Sequence, residues 1–261
     1  MLNNKTMKKT AFAAVLIGIA GLSGGCSDAR YEVERITARH IEVGPTVPED
    51  PRIAAFLAPY RDSLSALLDD VIAYSPEYLA KNDRNGALGA WLADLSIEQV
   101  DRYLREKGQT ERIDLALFNA GGERTSLPQG DVKRSFVYEF MPFENKYVLV
   151  RLGGEQMRQM FRYLADDALR GTFHPLGGMC LTVRDKGASL SARIGSRAFD
   201  PKREYTVLTT DFLFKGGDNM NWFADHRGVL ETELKMRESI MDYFAQTDTI
   251  TIPKDIRYDI R

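Results

Sequence analysis

The chain has 261 residues, 44% of them hydrophobic and 28% charged, the composition of a globular protein long enough to bury a full core. Its 35 Lys and Arg against 37 Asp and Glu give a net charge of -2, and without a basic excess to neutralise phosphates this argues against a nucleic-acid partner. Two cysteines are too few for a disulfide framework, and three histidines (His40, His174, His226) make a multi-histidine metal centre hard to build.

Residues 1–25 read as an export signal outside the fold. Lys5, Lys8 and Lys9 form a positive start, and the apolar run from Ala11 to Ala20 is too short for a stable membrane span. Leu22-Ser23-Gly24-Gly25-Cys26 follows and resembles a bacterial lipobox, with Ser23 standing where leucine is usual. In that reading Cys26 is acylated, becomes the mature N-terminus and tethers the chain to a membrane of the cell envelope. The alternative is an ordinary secretory signal in which Cys26 is incidental.

Residues 26–49 read as a tether with a short strand at Ile36 to Val43. Asp50-Pro51 then opens a helix, with an N-cap acid and a proline at the first position. Ile53, Phe56, Leu57, Tyr60, Leu64, Leu67, Leu68, Val71 and Ile72 recur at three and four, predicting one buried face, and Pro59 predicts a kink. A second helix carries Leu88, Trp91, Leu92, Leu95, Val100, Tyr103 and Leu104 and stops at Gly108. The period then changes. Strands are predicted at Ile113 to Phe118 and Lys146 to Leu152, a helix after Gly153-Gly154, and strands at Met179–Val183, Ser191–Ile194 and Tyr205–Thr210. A last helix is predicted from about Glu231 to Phe244. Cys180, in an apolar run, reads as a buried small hydrophobe. The irregular alternation predicts a mixed α/β (α+β) protein with mixed or antiparallel sheets.

Three loops carry the chemistry-bearing residues. Asn119-Ala120-Gly121-Gly122-Glu123-Arg124 follows a strand; its glycines allow close backbone approach and Arg124 offers a planar cation, unless this is only a tight turn with a solvated arginine. Met141-Pro142-Phe143-Glu144-Asn145-Lys146 places a phenylalanine and an amide before a strand. Phe143 reads either as a stacking platform or as a core residue under a turn. Asp211 to Asp218 sets Phe212, Gly216-Gly217 and Asp218 on a strand exit, where a carboxylate can accept two ribose hydroxyls or simply cap a turn. Together they supply rings for a base, an amide for its edge, an acid for a ribose and a cation for a phosphate.

Four blocks in order, NDRNGALGAWLADL, DLALFNAGGERTSLP, MPFENKYVLVRLGGEQM and YTVLTTDFLFKGGDNM, make residues 50–261 resemble the C-terminal domain of 5'-nucleotidases. The resemblance implies a four-layer α/β/β/α domain that recognises a nucleoside or nucleoside phosphate and normally follows a metallophosphatase domain. It implies that Phe143 and Phe212 sandwich the base, Asn145 bonds its edge, Arg124 holds the phosphate and Asp218 the ribose. Glu144 stands where the family has glycine, and a side chain there is expected to crowd the base or repel phosphate. Of the arginines the family carries ahead of the second helix, only Arg84 is nearby. The metal-binding motifs of the metallophosphatase domain do not occur, and each histidine reads as a surface or loop residue. No cofactor is therefore expected on this chain, and divalent metals only on a partner. The leading expectation is the recognition half of a split 5'-nucleotidase, not catalytic alone. The alternatives are a stand-alone nucleoside-binding lipoprotein and a degenerate domain kept as a structural partner.

Overall fold

Two segments rich in β-branched and aromatic residues, KYVLVRL and YTVLTT, pair at the middle of one central sheet. In the computed structural model, which describes residues 35–41, 44, 47–83 and 86–261, the strands Leu115–Leu117 (β2), Lys146–Leu152 (β4), Leu176–Gly177 (β5), Tyr205–Thr210 (β9) and Gly228–Lys235 (β10) lie in the order β10-β4-β9-β2-β5. β9 runs parallel to β2 and antiparallel to β4, with Leu149 opposite Leu208. The signal segment, Cys26 and Arg84 lie outside the described residues.

The central sheet is covered on both faces along its inner strands, so β2, β4 and β9 are buried almost continuously rather than in alternation. Tyr147, Leu149, Ala116 and Leu208 point into one core with the helices Ala87–Glu106 (α2), Arg134–Phe140 (α3) and Met236–Phe244 (α6). Val148, Val150, Leu117 and Val207 point into a second core, shared with the helix Gly154–Leu169 (α4) and a four-stranded sheet. That second sheet orders Tyr258–Ile260 (β11), Met179–Arg184 (β6), Ser189–Ile194 (β7) and Arg197–Ala198 (β8), with β11 parallel to β6. A short antiparallel pair, Val71–Ser75 (β1) with Gly130–Lys133 (β3), completes the fold. This is the mixed α/β class expected from the sequence.

Several expectations need correction. The residues Ile36 to Ile41 carry no strand. The first helix, Pro51–Leu68 (α1), begins at its proline and contains Pro59, but none of its residues is buried, and Phe56, Tyr60 and Leu67 are each more than 60% exposed. A 3.6-residue period reports an apolar stripe; burial also needs a facing surface. Val71 and Ile72 belong to β1, not to this helix. The predicted last helix is half strand: Gly228–Lys235 pairs with β4 before the helix starts at Met236. Cys180 is only half-buried, on the outer face of β6, and burial pushes its thiol up. Among the described residues no helix is long and apolar enough to cross a membrane.

Candidate functional site

Strand polarity brings the three loops together. Because β2 and β9 are parallel and β4 opposes them, the exits of β2 and β9 and the entrance of β4 share one end of the central sheet. The loops are also stitched to each other there: the Asp211 carboxylate accepts the Lys146 backbone N–H at 3.1 Å.

In the first loop, Ala120–Gly122 forms one 3-10 turn headed by Asn119. A Cβ on Gly122 would lie 3.0 Å from the Asn119 side-chain oxygen, so the glycine lets the turn close on its own asparagine. The Arg124 backbone N–H donates to Phe140 O at 3.0 Å, while its guanidinium donates to Gly121 O and lies 5.8 Å from the Phe143 ring. In the second loop Phe143 is 40% exposed, which rules out the core-residue reading, and Asn145 O accepts the Met236 N–H at 2.9 Å. Glu144 behaves otherwise than expected. Its carboxylate is bound by Lys235 at 2.6 Å and by Arg237, which moors the loop to the start of α6 and turns the acid away from the neighbouring cavity.

The third loop is a single helical turn, Asp211–Phe214 (α5), followed by left-handed backbone at Gly216 (φ 91°), Asp218 (φ 52°) and Asn219 (φ 58°). Phe212 is 44% exposed, and a Cβ on Gly217 would fall 2.5 Å from its ring, so this glycine makes room for the phenylalanine. Arg124, Phe143, Asn145, Phe212 and Asp218 all line one cavity of about 280 Å³, joined by Asn119, Gly121 and Gly122. Asn119 was not singled out from sequence; its place at the head of the glycine turn is the signal that could have found it. A larger depression of about 810 Å³ lies on the outer face of the second sheet, beside Cys180, and contains no aromatic side chain.

Glu123 points the other way from its neighbour Arg124. It is 2% exposed, its Oε1 has no hydrogen-bond partner, and burial pushes its pKa up to about 8 against the opposing pull of Lys81. His174 also departs from the surface reading: it is buried, and accepts the Ala120 N–H on Nδ1 at 3.2 Å. Among the described residues no three His, Cys, Asp or Glu side chains come together as metal ligands.

A family model for the 5'-nucleotidase C-terminal domain matches residues 71–225, more than half of the chain. The chain belongs to that family. It is 25% identical over 213 residues to a 5'-nucleotidase of Vibrio cholerae, covering 79% of this chain and 36% of that protein. Protein UshA of Yersinia enterocolitica is 25% identical over 186 residues, covering 70% and 32%. The chain thus spans about a third of the length of these relatives. Among solved structures, a 5'-nucleotidase precursor from Thermus thermophilus superposes with a TM-score of 0.65 at 23% identity, covering 82% of this chain and 44% of that one. The Haemophilus influenzae NAD nucleotidase gives 0.58 at 17% identity, covering 81% and 42%. At such identities these structures speak for the fold alone.

Proposed function

We propose that this domain binds a nucleoside or nucleoside monophosphate and presents it to a separately encoded metallophosphatase, the two chains together forming a split 5'-nucleotidase. The observation that carries the reading is the convergence of two exposed phenylalanines, an amide, a guanidinium and a carboxylate on one cavity. Phe143 and Phe212 supply flat apolar surface for a base, and Asn145 can donate to and accept from its edge. Asp218 accepts ribose hydroxyls, and Arg124, resting near the Phe143 ring, is within reach of a phosphate. In this reading hydrolysis of the ester is the partner's part, where the two metals would activate water and neutralise the transferring phosphoryl group.

Calorimetry with AMP and adenosine tests the binding step. Phe143→Ala and Phe212→Ala should each weaken binding by about 1–3 kcal/mol, the worth of one base–aromatic stack. Unchanged affinity in both variants removes the assigned site. Co-purification with a metallophosphatase, and an AMP phosphatase assay with and without this chain, test the split enzyme; a partner fully active alone that never binds this chain overturns it. Tethering through an acylated Cys26 belongs to the same proposal, and predicts that labelled palmitate is incorporated and that Cys26→Ser frees the chain from membranes.

A further inference from the structure

We propose that His174 is a positioning residue that fixes the glycine turn of this cavity and, with Tyr163 and Asp167, couples that turn to the loop bearing Asp218. The inference rests on the nucleoside reading for its ligand, but not for its geometry.

Ala120 opens the 3-10 turn, and its buried N–H has no carbonyl to meet. It is met instead by a side chain from 54 residues away: Nδ1 of His174, at 3.2 Å. A ring nitrogen accepts an amide proton only when it carries none itself, so the proton of the neutral ring resides on Nε2. That Nε2–H faces Asp167 Oδ2 at 2.8 Å, and the other Asp167 oxygen takes Arg170. Burial would raise the Asp167 carboxyl, but the hydrogen bonds from His174 and Arg170 outweigh it and hold the group ionised. The histidine backbone is pinned too, because Tyr258 OH donates to His174 O at 2.9 Å.

A second link leaves the same face of α4. Tyr163 and Asp167 are one helical turn apart, and the Tyr163 ring lies 5.6 Å from that of His174. Tyr163 OH donates to the backbone carbonyl of Asp218 at 2.9 Å, where the chain has its left-handed turn. One end of α4 therefore holds both the turn beneath Arg124 and the loop bearing the ribose acid. His174, Asp167 and Tyr163 do not line the cavity, so they act through the loops they hold.

His174→Asn and His174→Phe, made in the full chain, separate positioning from packing. Asparagine places an oxygen near Nδ1 and keeps the acceptor, but leaves a void; phenylalanine fills the ring volume and lacks the acceptor. Positioning predicts AMP affinity in the order wild type, Asn, Phe, with the last two roughly five- to tenfold apart, the range set by one buried hydrogen bond. The reverse order, or a phenylalanine variant that binds like wild type, overturns the proposal. Nitrogen-15 spectra of the imidazole and backbone give a readout independent of nucleoside. Wild type should show the proton on Nε2, and His174→Phe should shift the amides of both Ala120–Gly122 and Asp218–Asn219. A proton on Nδ1, or shifts at neither loop, overturns it. If wild type binds neither AMP nor adenosine while these spectra behave as expected, the nucleoside reading fails and the positioning role stands.

Discussion

At the residue scale, Glu123 is a buried acid whose neighbours in sequence, Gly122 and Arg124, both line the cavity. Its pKa in the fold, about 8, stands above the ordinary 4.5, so the folded state holds a proton that the unfolded chain has released. Stability from this group is full below about pH 4.5 and is lost as pH rises through about 8. Glu123→Gln should remove that slope: melting temperatures of wild type and variant should diverge toward alkaline pH, the variant being higher. Equal separation at pH 5 and pH 8.5 would show that Glu123 is not the titrating group. The types of residue at this site were legible because glycine pairs, aromatics in polar loops and a turn aspartate leave sequence marks, whereas the exposure of Phe143 and Phe212 is a finding of the structure. The burial of Glu123 left none, since it comes from packing against distant parts of the chain, among them Gly89 of α2, where a Cβ would lie 3.4 Å from Glu123 Oε1.

Among elements, α1 and β10 show where periodicity stops being informative. Glu, Leu and Lys favour helices, so the run Glu231 to Lys235 reads as the start of one. Its half-buried and buried positions, Leu230, Thr232 and Leu234, nevertheless alternate with exposed Val229, Glu231 and Glu233, and pairing with β4 decides the outcome. In α1 the period is helical and the helix forms, but the stripe faces water. Substitutions there should therefore be nearly silent: Phe56→Ser and Leu64→Ser should each change unfolding free energy by less than about 0.5 kcal/mol. Leu92→Ala in α2, fully buried, should cost about 2–5 kcal/mol by denaturant titration. A large loss from the α1 variants would mean that the stripe is covered in solution.

For the whole molecule, the central sheet is a shared wall between two cores. The chain's two tryptophans fall one on each side: Trp91 packs with Phe140, Tyr243 and Phe244, and Trp222 with Tyr163 and Phe223. Single-tryptophan proteins made by Trp91→Phe and Trp222→Phe would each report one core by fluorescence. Because β4, β9 and β2 contribute side chains to both, neither core can dissolve and leave the other its wall. The two melting curves, each normalised to its own variant's far-UV signal, should coincide with it. Separate transitions would show that the wall survives the loss of one side.

The cavity lining has an electrical consequence. Arg124 and Asp218 are the basic and the acidic side chain of the lining, and burial holds Glu123, behind the turn, in its neutral form at pH 7. Glu144, in the loop that carries Phe143, is paired with Lys235 and Arg237. With one charge of each sign, the lining itself carries no net charge to favour a polyanion. Discrimination here falls to short-range fit of base and sugar. A diphosphate or triphosphate would find on the lining no second cation beyond Arg124.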